Sequence, residues 1–220
     1  MARRKAFYEQ EYSRHIGAVI MCIASFVAVA LATCGTPLGM LMLRTWDETP
    51  EEGGNPEFRP CFTLWGKRNN CWNANYSDRV TDPLIAGCSD IRTRFEAAEA
   101  FSVIALFSLL FVFGASWSKI CGSSIKTTVM VLSVFAIGAT TVPWAIVTSF
   151  YYTPFCGLEF LTYKQTRFGA GYALLVASFA VQVLGLILFT FLEPEIVSTK
   201  REEDKEAGSD ASSHASSASH

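Results

Sequence analysis

Histidine is scarce in this sequence: three occur in 220 residues, at His15, His214 and His220, and none lies among the cysteines of the middle region. That argues against a Cys/His zinc site there, and no metal is expected. Gly-x-Ser-x-Gly and His-Glu-x-x-His are both missing, and the acidic residues of the polar middle show no recognisable paired arrangement. Neither a nucleophile elbow nor a zinc protease is therefore in view, and no enzymatic activity or cofactor is expected. A net charge of −2 without a basic patch leaves little to neutralise phosphates, so nucleic acid is set aside as a partner. The most telling shortage is of charge inside long apolar stretches.

Half of the residues are hydrophobic, and the charges gather in polar blocks instead of along amphipathic faces. The pattern is that of a membrane protein, with the lipid bilayer as its solvent. Residues 1–15 are polar and basic through Arg3, Arg4, Lys5 and Arg14. Residues 16–43 carry no charge and are long enough to cross a hydrocarbon core of about 30 Å. A cleaved leader is the competing reading, because Ala30-Leu31-Ala32 resembles a cleavage site; the apolar stretch continues well past it, which favours a retained span. Further spans are expected at 96–117, 127–150 and 168–192, the first of these three preceded by a helix-prone run from Ile91. Ala24, Ala28 and Ala32 in the first span, and Gly169, Ala173 and Ala177 in the fourth, suggest faces for close helix packing. Gln182 is expected to hydrogen-bond between helices, and Thr140 and Thr141 to compensate the backbone near Pro143. Glu99 reads as a hydrated charge near the end of a span.

Between the first two spans lies a polar block, 44–95, holding Cys61, Cys71 and Cys88 and the glycosylation pattern Asn75-Tyr76-Ser77. Cys61 and Cys71 bracket a β-prone run, Phe62 to Trp65, and a Gly66-Lys67-Arg68-Asn69-Asn70 turn, so one disulfide would staple a hairpin. A second loop, 151–167, adds Cys156. Four cysteines allow three pairings; the chosen one is Cys61 with Cys71 and Cys88 with Cys156, the latter tying the loops together. Disulfides and a sequon belong outside the cytoplasm. The basic N-terminus, the short lysine-bearing loop 118–126 and Lys200-Arg201 of the tail belong inside it, so both termini are expected to be cytoplasmic. The tail, 193–220, turns charged and then Ser/Ala-rich, a composition that does not build a core.

The stretch Cys61-Phe62-Thr63-Leu64-Trp65-Gly66-Lys67-Arg68-Asn69-Asn70-Cys71 resembles the signature of the amastins, four-span surface glycoproteins of trypanosomatid parasites. Cys61, Phe62, Thr63, Leu64, Trp65, Gly66, Arg68, Asn70 and Cys71 each match a specified slot. The resemblance implies a multi-pass protein of the plasma membrane acting in host–parasite interaction, adhesion or surface organisation during the intracellular stage, a role tied to virulence. Its implied partners are the host-cell membrane or its surface components; assembly as a homo-oligomer stays open.

A more distant likeness is to the claudins, through Trp46, Leu64-Trp65 and the Ala-rich run from Arg94 to Phe101. The cysteines depart from the claudin pattern, because Cys61 precedes Trp65 and Cys71 lies far beyond it. The alternative that this likeness implies is a membrane channel, barrier or ion-traffic protein. The expected fold is thus of the all-α membrane class: a four-helix transmembrane bundle with a small disulfide-stapled extracellular β-sheet, a claudin-like α+β arrangement.

Overall fold

The computed structural model describes residues 2–43, 60–71, 75–79, 89–123, 125–153 and 166–192, with backbone alone for 2–15 and 78–79. It holds four helices long and apolar enough to cross a membrane. They are α1 (Ala2–Gly35), α2 (Ser89–Ile120), α3 (Lys126–Tyr152) and α4 (Ala170–Leu192). Five short strands complete the described chain: β1 (Leu41–Leu43), β2 (Cys61–Thr63), β3 (Gly66–Arg68), β4 (Asp78–Arg79) and β5 (Thr166–Phe168). They form one antiparallel sheet in the order β4-β3-β2-β1-β5 at one end of the bundle. The chain is therefore a mostly helical membrane bundle capped by a small sheet, as its apolar spans and its cysteine-bracketed β-prone segment implied.

Large apolar side chains face outward along all four helices, among them Phe26, Phe111, Val131 and Phe191. Phe191 is 81% exposed. In water such a surface would be untenable; in a bilayer it is the expected solvent-facing side.

The first helix is shorter at its sheet end than the apolar run 16–43 suggests. It stops at Gly35, and Leu41–Leu43 is a strand. The reason is local: Gly35-Thr36-Pro37 is a stop signal, since proline disfavours helical backbone in the residue before it. Thr36 closes the last turn, donating from both its amide (3.0 Å) and its hydroxyl (2.6 Å) to the Ala32 carbonyl.

Helices α1 and α4 are joined by a seam of small residues, spaced by sevens on α4. Ala24, Ala28 and Gly35 on α1 meet Gly185, Ser178 and Gly171 on α4, in that antiparallel order, with Met21 also beside Gly185. Ser178 Oγ donates to the Ala28 carbonyl oxygen at 2.8 Å, a bond that requires the two backbones to lie close. A Cβ on Gly171 would stand 2.7 Å from the Leu38 carbonyl oxygen and 2.8 Å from that of Gly35. Of the small residues expected on this seam, Ala28 and Ala32 are buried. Of the Gly169-Ala173-Ala177 stripe only Gly169 is closely packed, against the Gly39 backbone; Ala173 is exposed and Ala177 half-buried. The buried face of α4 is instead Gly171, Leu175, Ser178, Gln182, Gly185 and Phe189. Its alternating spacing of four and three keeps one stripe turned inward along nearly straight helices, which a strict repeat of four does not.

Within α3 several hydroxyls serve their own helix. Ser133 donates to Val129, Thr140 to Ala136 and Ile137, and Thr141 to Ile137. The two threonines thus bond to the turn before the Ala139 carbonyl, the one that Pro143 deprives of its amide partner. Gln182 corrects a second expectation. It is fully buried, yet neither atom of its side-chain amide has a hydrogen-bond partner among the described residues.

Candidate functional site

The signature segment forms the β2–β3 hairpin, but its turn is not where the sequence suggests. Thr63 pairs with Gly66, so Leu64 and Trp65 make a two-residue turn, and Gly66–Arg68 is a strand. Two features select this register. Thr63 Oγ1 accepts from the Trp65 amide (3.2 Å) and donates to the Gly66 carbonyl (3.0 Å), bridging the turn with one side chain. Gly66 adopts φ 141°, a backbone conformation that a side chain disfavours. The asparagines that look like the turn, Asn69 and Asn70, lie beyond the hairpin and lead to Cys71.

Cys71 returns to Cys61 as a disulfide, with Cα atoms 5.6 Å apart. The bond lies against Gly39: a Cβ there would come within 3.1 Å of Cys61 Cβ and 3.2 Å of its Sγ. The staple is thereby seated on the link between α1 and β1. Cys88 and Cys156, the other expected pair, lie outside the described residues. Three further cysteines are free: Cys22 is buried, and Cys34 and Cys121 are exposed.

β1 lies between β2 of the hairpin and the edge strand β5, and it joins the hairpin to the bundle. On one side Leu41 pairs with Phe62 and Met42 with Cys61; on the other Leu41, Met42 and Leu43 pair with Phe168, Arg167 and Thr166. Just below, the Gly169 amide donates to Met40 (2.8 Å) and the Gly171 amide to Gly39 (3.1 Å), so the exit of α1 and the start of α4 are laced together. Tyr151, Phe168 and Tyr172 stack in a row, with centroids 4.2 and 4.1 Å apart, and tie α3 to the same end. Phe95 and Phe150 stack between α2 and α3 at 4.9 Å.

This lacing divides the signature residues into two groups. Cys61, Phe62, Thr63 and Leu64 are buried, and Phe62 and Leu64 belong to the same apolar cluster as Ile91, Phe95 and Phe150 at the helix ends. Trp65 packs half-buried against that cluster. These aromatic and aliphatic members are therefore anchors, and Phe62 and Leu64 are not open to a partner. The other group faces solvent: Asn69 is exposed, and Lys67, Arg68 and Asn70 are partly so.

The segment after Cys71 returns to this polar edge. Asn75 is exposed, Ser77 bonds to the Lys67 carbonyl through both its amide (3.0 Å) and its hydroxyl (3.1 Å), and Arg68 Nη2 donates to the Tyr76 hydroxyl at 2.6 Å. The Arg68 guanidinium also lies 4.4 Å from the Tyr76 ring centroid. Sequence reasoning did not foresee that Tyr76 and Ser77 are fastened to β3 and lead into a further strand, β4. The signal available was an arginine in the signature followed, eight residues later, by a tyrosine able to accept it.

The sheet thus holds a polar, partly cationic edge above an apolar bundle. No curated protein matches the chain. A family model described as Amastin surface glycoprotein matches residues 26–189, from within α1 almost to the end of α4. That range takes in the whole sheet and the hairpin between Cys61 and Cys71, and the chain belongs to the amastin family.

Proposed function

We propose that this protein is a multi-pass surface glycoprotein of the plasma membrane, with both termini cytoplasmic, that presents the β2–β3 edge of its sheet outward. The observation that supports this best is the division of the signature: its apolar residues are anchored below, leaving Lys67, Arg68, Asn69 and Asn70 at the solvent side beside the Asn75 sequon. The disulfide between Cys61 and Cys71 fits an oxidising, outward environment. The role that follows is contact with host membrane or surface components, or organisation of the parasite's own surface during the intracellular stage of a trypanosomatid. Catalysis has no part in this reading.

The test has two steps. Asn69→Cys in a membrane-bound chain is labelled with an impermeant maleimide in intact cells; labelling places the sheet outside, and labelling only after permeabilisation refutes the reading. Replacing Lys67, Asn69 and Asn70 together by alanine should then weaken attachment of intact cells to host membranes, while surface abundance stays unchanged.

A further inference from the structure

We propose that the folded sheet shuts the Asn75 sequon, so that a glycan can be attached only before the Cys61–Cys71 hairpin closes. This rests on the outward placement proposed above. Attachment requires the Asn75 side-chain nitrogen to attack the anomeric carbon of a polyprenyl-pyrophosphate-linked oligosaccharide. A C–N bond forms, the bond from that carbon to the pyrophosphate oxygen breaks, the lipid pyrophosphate leaves with the electron pair, and the amide proton passes to a base of the transferase. The transferase also has to engage the hydroxyl of the residue two places on, and to hold all three residues away from other pairing.

The folded protein exposes the ends of the sequon, Asn75 and Ser77, but does not leave the sequon unpaired. Ser77, however, has both amide and hydroxyl committed to the Lys67 carbonyl, and Tyr76 is held by Arg68. The next two residues, Asp78 and Arg79, are strand β4, paired with Lys67 and Gly66. Three independent fastenings thus bind the sequon to β3, and β3 lies inside the disulfide loop. Exposure of the asparagine is then insufficient for modification.

The physical timescales make the disulfide the decisive step. A short hairpin forms in about 1–10 μs but is marginal alone, so the sequon reopens repeatedly while the cysteines are reduced. Disulfide formation takes seconds or more, and once made it holds β3 in place. Glycan occupancy at Asn75 is therefore set by a race between transfer and oxidation.

The experiment uses the full chain in cells whose lipid-linked oligosaccharide is first withheld, so that the protein folds and oxidises unmodified. The donor is then restored with protein synthesis stopped. Oxidised wild type is expected to stay bare at Asn75. A chain with Cys61→Ala and Cys71→Ala should be modified at least fivefold more, and Arg68→Ala with its disulfide intact should fall between them. Asn75→Gln supplies the blank. Equal modification of oxidised wild type and the cysteine variant overturns the proposal. A bare Asn75 in every form, nascent chains made with donor present included, overturns the outward placement and this inference with it.

Discussion

Ser178 reaches across from α4 to donate to the carbonyl oxygen of Ala28 on α1, at 2.8 Å, and both residues are fully buried. The bond marks the middle of the seven-spaced seam that carries the sheet, because the same two helices continue into β1 and out of β5. Replacing Ser178 by alanine removes one interhelical hydrogen bond and is expected to lower stability by only about 0.6 kcal/mol, the usual worth of such bonds in membranes. Reversible unfolding in mixed micelles would read it.

Gly171 should be far less tolerant. An added Cβ would press on two backbone carbonyl oxygens, those of Leu38 and Gly35, and neither can rotate away as a side chain tip would. Gly171→Ala is expected to cost about 1–3 kcal/mol, the range for overpacking. The sheet should loosen with it, seen as faster proteolysis between β1 and β2 than in Ser178→Ala.

Gln182 offers a change of opposite sign. Its buried amide has no partner among the described residues, and an unpaired polar group in such surroundings is unfavourable by about 1–3 kcal/mol. Gln182→Met keeps the length of the side chain and removes the amide. Unfolding in micelles should show a gain in stability of that order; a loss would mean that the amide is satisfied.

The hairpin turn is tested by Gly66→Ala and Thr63→Val. The first forces a side chain onto backbone at φ 141°, and the second removes the hydroxyl that bridges the turn. Each is expected to destabilise the hairpin by about 1–2 kcal/mol. Under non-reducing conditions both variants should form the Cys61–Cys71 bond more slowly than wild type, with the helix content of the bundle unchanged.

Loss of the disulfide itself should act on the sheet alone. Closing a loop of this size is worth about 3 kcal/mol in the chain-entropy model, and the bond lies against Gly39, on the link between α1 and β1. Cys71→Ala is expected to make the chain between β2 and β4 sensitive to protease while circular dichroism of the helices is retained.

Much of this architecture was legible because it depends on local composition. Stretches of apolar residues long enough to span lipid must be helices, since no other open structure satisfies its backbone there. Two cysteines ten residues apart around a β-prone run could be paired without any knowledge of distant segments. Even the stop at Gly35-Thr36-Pro37 and the seven-residue spacing of Gly171, Ser178 and Gly185 were written in the chain, though the four-residue stripes were the more conspicuous pattern.

What only the tertiary structure decided depends on which segments meet. The Leu64-Trp65 turn prevails over the asparagine-rich one because pairing β2 with β1 buries Phe62 and Leu64 on the helix ends, a gain that local turn preference does not contain. That Gln182 is fully buried with no hydrogen-bond partner among the described residues depends likewise on which side chains the packing brings around it. The fastening of Tyr76 and Ser77 to β3 likewise arises only when Arg68 and Lys67 have been set in a strand. Composition determined that this chain inserts in a membrane with a stapled cap; packing between segments distant in sequence determined which face of that cap is left to meet anything else.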